Sequence, residues 1–141
     1  MKQVTSVIIF LIFSLTALAT DWNENEYHSV EKSIRTVRFA DRELLATDFG
    51  ASSGATAETN QRAINAAIEK CSELGGGRVL VSGGTYLTGA IELKSHVNLV
   101  IDRNTTLQFA YRPELYPGVE TRWEGIDCRN ISPCIYAFKA T

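Results

Sequence analysis

Between residues 75 and 110, apolar and polar side chains alternate in short bursts, each closed by residues suited to tight bends. Val79/Val81, Ile91/Leu93, Val97/Leu99/Ile101 and Leu107/Phe109 fall on one face by the period of two, and Glu92, Asn98 and Gln108 on the other. The pattern predicts strands over 78–81, 85–87, 90–93, 97–101 and 106–109. Gly83-Gly84, Gly89, Lys94-Ser95 and residues 102–104 supply the corners. Strands this short, joined by bends without an Asn-Gly dipeptide, suit a chain that turns a corner every few residues, as a parallel β-helix does. A β-sandwich gives similar spacing, so the alternation alone leaves both open.

Upstream the period changes to that of a helix. Ala63, Ile64, Ala67, Ile68, Cys71 and Leu74 form one apolar stripe over 60–74, with Arg62, Asn65, Glu69 and Lys70 opposite. Thr59 is the expected N-cap, and Gly75-Gly76-Gly77 the stop. A phosphate-cradling glycine loop follows a strand and opens a helix; here the order is reversed. An amphipathic helix placed just before short parallel strands can cover the apolar end and the unpaired edges of a first coil, which favours the β-helix. Residues 44–48 read as a first short strand. Residues 20–42 show no sustained period and read as a loosely packed leader or linker.

The first 19 residues stand apart. Lys2 precedes an apolar run from Val7 to Phe13 that continues to Ala19, and Ala17-Leu18-Ala19 offers a small-residue cleavage site. The run is short for a membrane span of about 20 residues. The expected organisation is a signal peptide at 1–19, a polar leader at 20–43, and a domain from 44 to 141. Secretion follows, to the periplasm if the source is a Gram-negative bacterium. The chain has 141 residues, is 45% hydrophobic and carries a net charge of -2, so nothing points to nucleic acid or to an anionic membrane after cleavage.

Three cysteines remain for an oxidising compartment. Cys128 and Cys134 bracket a loop containing Pro133 and form a candidate disulfide, while Cys71 on the helix stripe reads as a buried thiol. His28 and His96 have no ligand-type spacing and no Cys-x-x-Cys occurs, so no metal site is expected. Asn104 and Asn130 open glycosylation sequons, the second followed by Pro133. Asp48-Phe49-Gly50 matches a kinase tripeptide without any other kinase motif.

Asp48-Phe49-Gly50-Ala51, the helix with Ala63-Ile64 and Ala67-Ile68, the triple glycine, Tyr86-Leu87-Thr88-Gly89 and Ile91-Glu92-Leu93-Lys94-Ser95 together resemble the start of the pectate-lyase-like β-helix superfamily. They are most similar to polygalacturonases of glycoside hydrolase family 28. Tyr116-Pro117, Thr121-Arg122-Trp123-Glu124-Gly125 and Ser132-Pro133 with Ile135-Tyr136-Ala137 resemble its bacterial-type, exo-acting branch. The resemblance runs from Ala46 to Ala137. It implies an all-β fold, the N-terminal coils of a right-handed parallel β-helix with an N-terminal capping α-helix. It also implies inverting hydrolysis of α-1,4-galacturonan without cofactor, by a monomer whose partner is pectic polysaccharide.

Inversion needs two carboxyl groups about 6.5–9.5 Å apart. The family supplies them from Asn-Thr-Asp and Asp-Asp motifs, supported by Gly-His-Gly and Arg-Ile-Lys, and none of the four occurs here. Asp21, Asp41, Asp48, Asp102 and Asp127 are all isolated. The expectation is therefore an inactive N-terminal part of a longer enzyme, since repeat folds usually need at least three repeats. Two alternatives stay open: a non-catalytic carbohydrate-binding or adhesive β-helix, and a lyase or epimerase on the same scaffold. Arg122, Trp123 and Glu124 are the candidate substrate contacts, because Arg holds a carboxylate bidentately and Trp offers a flat face to a sugar. Alternatively Trp123 packs a loop and Arg122 pairs with Glu124 or Glu120. Lys94 and His96 read as a solvated corner, and Glu92 as exposed.

Overall fold

The computed structural model describes residues 24–34 and 37–140, so the signal sequence expected at 1–19 lies outside the described residues. The chain divides into two units, 1–37 and 38–141. The first contains helix α1 (Glu24–Ser33), in a stretch expected to lack regular structure. Its described side chains are exposed, Tyr27 and Val30 included. Local bonds hold it: the Ser29 and Ser33 hydroxyls donate to carbonyls three residues back, and His28 Nδ1 lies 3.3 Å from Glu31. Its apolar residues, Tyr27 and Val30, are too few to make a periodic signal, which is why periodicity misses it.

In the second unit helix α2 spans Ala57–Glu73, starting three residues before the expected point. Thr56, not Thr59, is the N-cap, its hydroxyl accepting from the Thr59 amide at 3.3 Å. The helix stops at Leu74 in a Schellman motif: Gly75 N–H donates to Ser72 O and Gly76 N–H to Cys71 O, both at 2.9 Å.

The rest is mostly strand: β1 (Glu43–Leu45), β2 (Gly77–Val81), β3 (Gly84–Thr88), β4 (Ile91–Leu93), β5 (Val97–Ile101), β6 (Thr105–Phe109), β7 (Gly118–Trp123), β8 (Ile126–Ile131) and β9 (Ile135–Ala137). The strand expected at 44–48 is β1 followed by a 3-10 turn, Ala46–Phe49. Apart from the β7–β8 hairpin, every pairing is parallel. The chain lays down β2, β3 and β4, then β5, β6 and β9, each second-pass strand lying alongside its first-pass counterpart. Gly77 faces Val97, Gly84 faces Thr105 and Ile91 faces Ile135. β1 completes an order β1-β2-β5.

The alternation predicts which side chains meet. Val79, Val81, Ile91 and Val97 close on the α2 stripe of Ala63, Ile64, Ala67, Ile68 and Cys71. Fully burying each large aliphatic contributes about 1.5–3 kcal/mol. Burial fades along the second pass: Leu99, Leu107 and Phe109 are only partly covered and Ile101 is exposed. Among the described residues no further strand lies beyond β5 or β6. β3 buries Tyr86 and Thr88 and exposes Leu87, with the Tyr86 hydroxyl donating to Ser82 O at 2.7 Å.

The glycine run does more than end α2. A Cβ on Gly76 would lie 2.4 Å from the His96 carbonyl oxygen, and one on Gly77 would lie 2.7 Å from that of Arg42. Gly75 has open space, and only its φ of 89° favours glycine. Gly75→Ala should therefore lower stability by about 1–2 kcal/mol, the left-handed penalty alone. Gly76→Ala adds a backbone collision and should cost about 3 kcal/mol or more. Urea unfolding of both variants checks the order; equal losses would contradict it.

Candidate functional site

The residues singled out in the sequence sit on the hairpin. β7 and β8 pair antiparallel from Gly118–Ile131 to Trp123–Ile126, leaving Glu124 and Gly125 as a two-residue turn. Both have positive φ, 48° and 86°, as a type I′ turn requires. Arg122, Trp123 and Glu124 thus form an exposed tip, with Trp123 68% exposed. Arg122 pairs with Asp127 at 3.4 Å and donates to Gly125 O at 3.1 Å, while Glu120 pairs with Arg129. Neither Glu124 nor Glu120 is the partner of Arg122. Such exposed pairs contribute up to about 1 kcal/mol. Consecutive strand residues point to opposite faces, so Arg122 and Trp123 cannot grip one sugar from one side.

A second group of polar side chains converges in a cleft of about 210 Å³ between α2 and the β4–β9 pair. Gln61, Asn65 and Glu69 come from successive turns of α2, Glu92 and Lys94 from β4 and its end, and Tyr136 from β9. The parallel register sets Glu92 beside Tyr136. Lys94 Nζ lies 2.6 Å from Glu92 Oε1, and the Tyr136 hydroxyl donates to Glu92 Oε2 at 3.5 Å. Burial pushes the Tyr136 phenol above its ordinary pKa, the Glu92 charge adds to this, and Lys94 opposes it. The phenol therefore stays protonated as a donor. Glu92, expected to be exposed, is half-buried and doubly engaged. Lys94 belongs to the cleft; His96 stays exposed at φ 62°, its carbonyl accepting from Gly77 N–H at 3.0 Å.

The cleft wall is held by side-chain carboxamides. Asn65 donates to Ala90 O at 3.0 Å and accepts from Glu92 N–H at 2.9 Å. Gln61 Nε2 donates to Ala90 O at 3.2 Å and to Leu115 O at 2.7 Å. The arrangement offers fixed donors and acceptors to a hydroxyl-rich ligand. Sequence reasoning missed it because the β7–β8 hairpin separates Tyr136 from the strand it joins, hiding the β4–β9 register. The one available signal was the outward position of Glu92 within its strand.

Cys71, Cys128 and Cys134 are free thiols, so the Cys128–Cys134 pairing is not formed in this structure. Cys128 faces Thr121 inside the hairpin, whereas the Cys134 carbonyl accepts from Ile91 N–H at 2.9 Å as the chain enters β9. Asn104 is exposed at a turn; Asn130 lies on β8, with Ser132 of its sequon buried. Among the described residues there is no cluster of three metal-ligand side chains, and no helix long and apolar enough to cross a membrane.

No family model matches the chain, and no curated protein matches it. Solved structures do. A hyperthermoactive exopolygalacturonase from Thermotoga maritima is 39% identical with a TM-score of 0.68, over 76% of this chain and 24% of that one. A family 28 exopolygalacturonase from Yersinia enterocolitica is 27% identical with a TM-score of 0.61, over 71% and 17%. A protein from Parabacteroides merdae assigned to the glycosyl hydrolases is 33% identical with a TM-score of 0.55, over 67% and 38%. The chain thus spans about a quarter of the length of the first of these enzymes. The described fold is similar to part of the fold of these polygalacturonases, one of them of glycoside hydrolase family 28.

Burial raises the Cys71 thiol above its ordinary pKa, with Arg42 acting weakly in the other direction. Only thiolate is alkylated, so at mildly alkaline pH iodoacetamide should label Cys134 and Cys128 and spare Cys71. Peptide mass spectrometry reads the outcome. A protected Cys128–Cys134 pair would restore the disulfide; rapid labelling of Cys71 would contradict its burial.

Proposed function

We propose that this chain supplies the N-terminal coils of a secreted pectin-degrading glycosidase whose reaction is inverting hydrolysis of α-1,4-galacturonan. The supporting observation is the combination of two parallel passes of strands with likeness to two exopolygalacturonases. In this reading the passes are coils of a right-handed parallel β-helix, and α2 caps the first. The signal peptide at 1–19 directs export, and pectic polysaccharide is the substrate.

Chemistry within the chain is limited by its carboxylates. Inversion takes one carboxylic acid to protonate the leaving oxygen and a second carboxylate to activate water. The aspartates of this chain are isolated, and Glu92 is engaged by both Lys94 and Tyr136. The catalytic pair is therefore assigned to coils outside this sequence, and the chain alone is inactive. The isolated aspartates also favour one competing reading, a carbohydrate-binding protein without catalysis.

The test is the native secreted protein, captured with an antibody to residues 60–110, sized and incubated with polygalacturonate. The expected result is a mass several-fold above 15.6 kDa and release of reducing ends with inverted anomeric configuration. Binding without reducing ends would replace the glycosidase by a binding protein. Unsaturated products absorbing in the ultraviolet would replace it by a lyase.

A further inference from the structure

The cleft between α2 and the β4–β9 pair is built before any ligand arrives. Asn65 and Gln61 spend their amide groups on the backbone of Ala90, Glu92 and Leu115, so its walls cannot swing. Pre-formed walls lower the ordering cost of binding. What remains to meet a ligand is the Glu69 carboxylate, the Glu92–Lys94 pair and the protonated Tyr136 phenol. The volume of about 210 Å³ is below that of pockets for drug-sized ligands, and suits one six-membered sugar ring.

Charge narrows the choice. Two carboxylates and one ammonium line the cleft, and the ammonium sits 2.6 Å from Glu92. A free uronate would bring a third negative charge toward Glu69, where the one ammonium is already neutralised by Glu92, and like charges disfavour that. An uncharged sugar meets no such opposition. Its adjacent hydroxyls can donate to a carboxylate, and its oxygens can accept from Lys94 and Tyr136. The hairpin tip fits this role less well, because Arg122 and Trp123, adjacent on one strand, face opposite ways.

We propose that the cleft formed by Glu69, Glu92, Lys94 and Tyr136 is a saccharide subsite selecting one uncharged pyranose unit, a neutral sugar or an esterified uronate, over a free uronate. This rests on the pectin-degrading reading above and deepens it. Glu92 and Lys94 set the charge balance, and the Tyr136 hydroxyl, held only by a long 3.5 Å contact to Glu92, turns its single proton to the sugar; none of the three is given a catalytic role.

The direct test is an NMR titration of the isotope-labelled full chain with methyl α-galactopyranoside, galacturonic acid methyl ester and galacturonate. The first two should shift the Glu92 backbone amide and the Asn65 and Gln61 carboxamides, and galacturonate should bind at least about tenfold more weakly, a difference of about 1.4 kcal/mol. Glu69→Gln, at an exposed helix position, should narrow that gap, and Tyr136→Phe should weaken the neutral sugars several-fold. Equal or tighter binding of galacturonate, shifts confined to residues 122–126, or no shifts in a chain with a folded spectrum would overturn the proposal. In the native enzyme the same variants should change KM for esterified relative to free galacturonan and leave kcat alone. Hydrolysis with unmoved KM would sink the subsite and leave the glycosidase standing. Sugar bound in the cleft of a protein that hydrolyses nothing would do the reverse.

Discussion

Backbone groups along β3, β4 and the loops beside them face α2 rather than another strand, and three carboxamides of that helix supply their partners. Asn60, fully buried, accepts from Ser52 N–H and donates to Leu87 O, both at 2.9 Å. Asn65 and Gln61 do the same for Ala90, Glu92 and Leu115. Each buried group left without a partner would cost about 1–3 kcal/mol. The helix can therefore neither slide nor rotate without losing several bonds at once. That lock aims the apolar stripe at Val79, Val81 and Ile91, and it places Glu69 opposite Glu92 and Tyr136. Core and cleft are two faces of the same docking.

The glycines complete the geometry. Gly75 lets the chain leave the helix, and Gly76 and Gly77 bring β2 against the backbones of His96 and Arg42. Arg42 in turn donates to Leu74 O and Gly76 O at 2.6 and 2.9 Å, tying the helix exit to the start of β1. From there parallel pairing repeats side chains at matching positions on successive passes. That repetition is how Glu92 on the first pass comes to stand beside Tyr136 on the second.

Much of this architecture was legible. The five strands expected between 78 and 109 appear within a residue of their predicted limits, because alternation and bend residues are local signals. The helix stripe was legible too, but residues 57–59 ahead of it were not: Ala57 is buried there, and buried Asn60 between it and the stripe breaks the apolar pattern. The hairpin escaped because its turn is Glu124-Gly125 rather than Asn-Gly. The Arg122, Trp123 and Glu124 trio reads as one site in a linear string, and strand geometry separates it. The cleft escaped for a different reason. It joins residues from 61 to 136 through a parallel register, and register between distant strands leaves no mark in either strand alone.

The docking of α2 through its carboxamides is what holds strands, core and cleft in one arrangement, so it is the feature to measure. Ser52 lies in an exposed, irregular segment where a backbone amide would otherwise exchange quickly, yet its N–H is bonded to buried Asn60. Native-state hydrogen exchange at the Ser52 amide reads that bond directly. Protection comparable to that of the β2 and β5 amides is the predicted result. Exchange at the rate of an open loop would show that the carboxamide bracket does not form, and the arrangement of α2, core and cleft would fall with it.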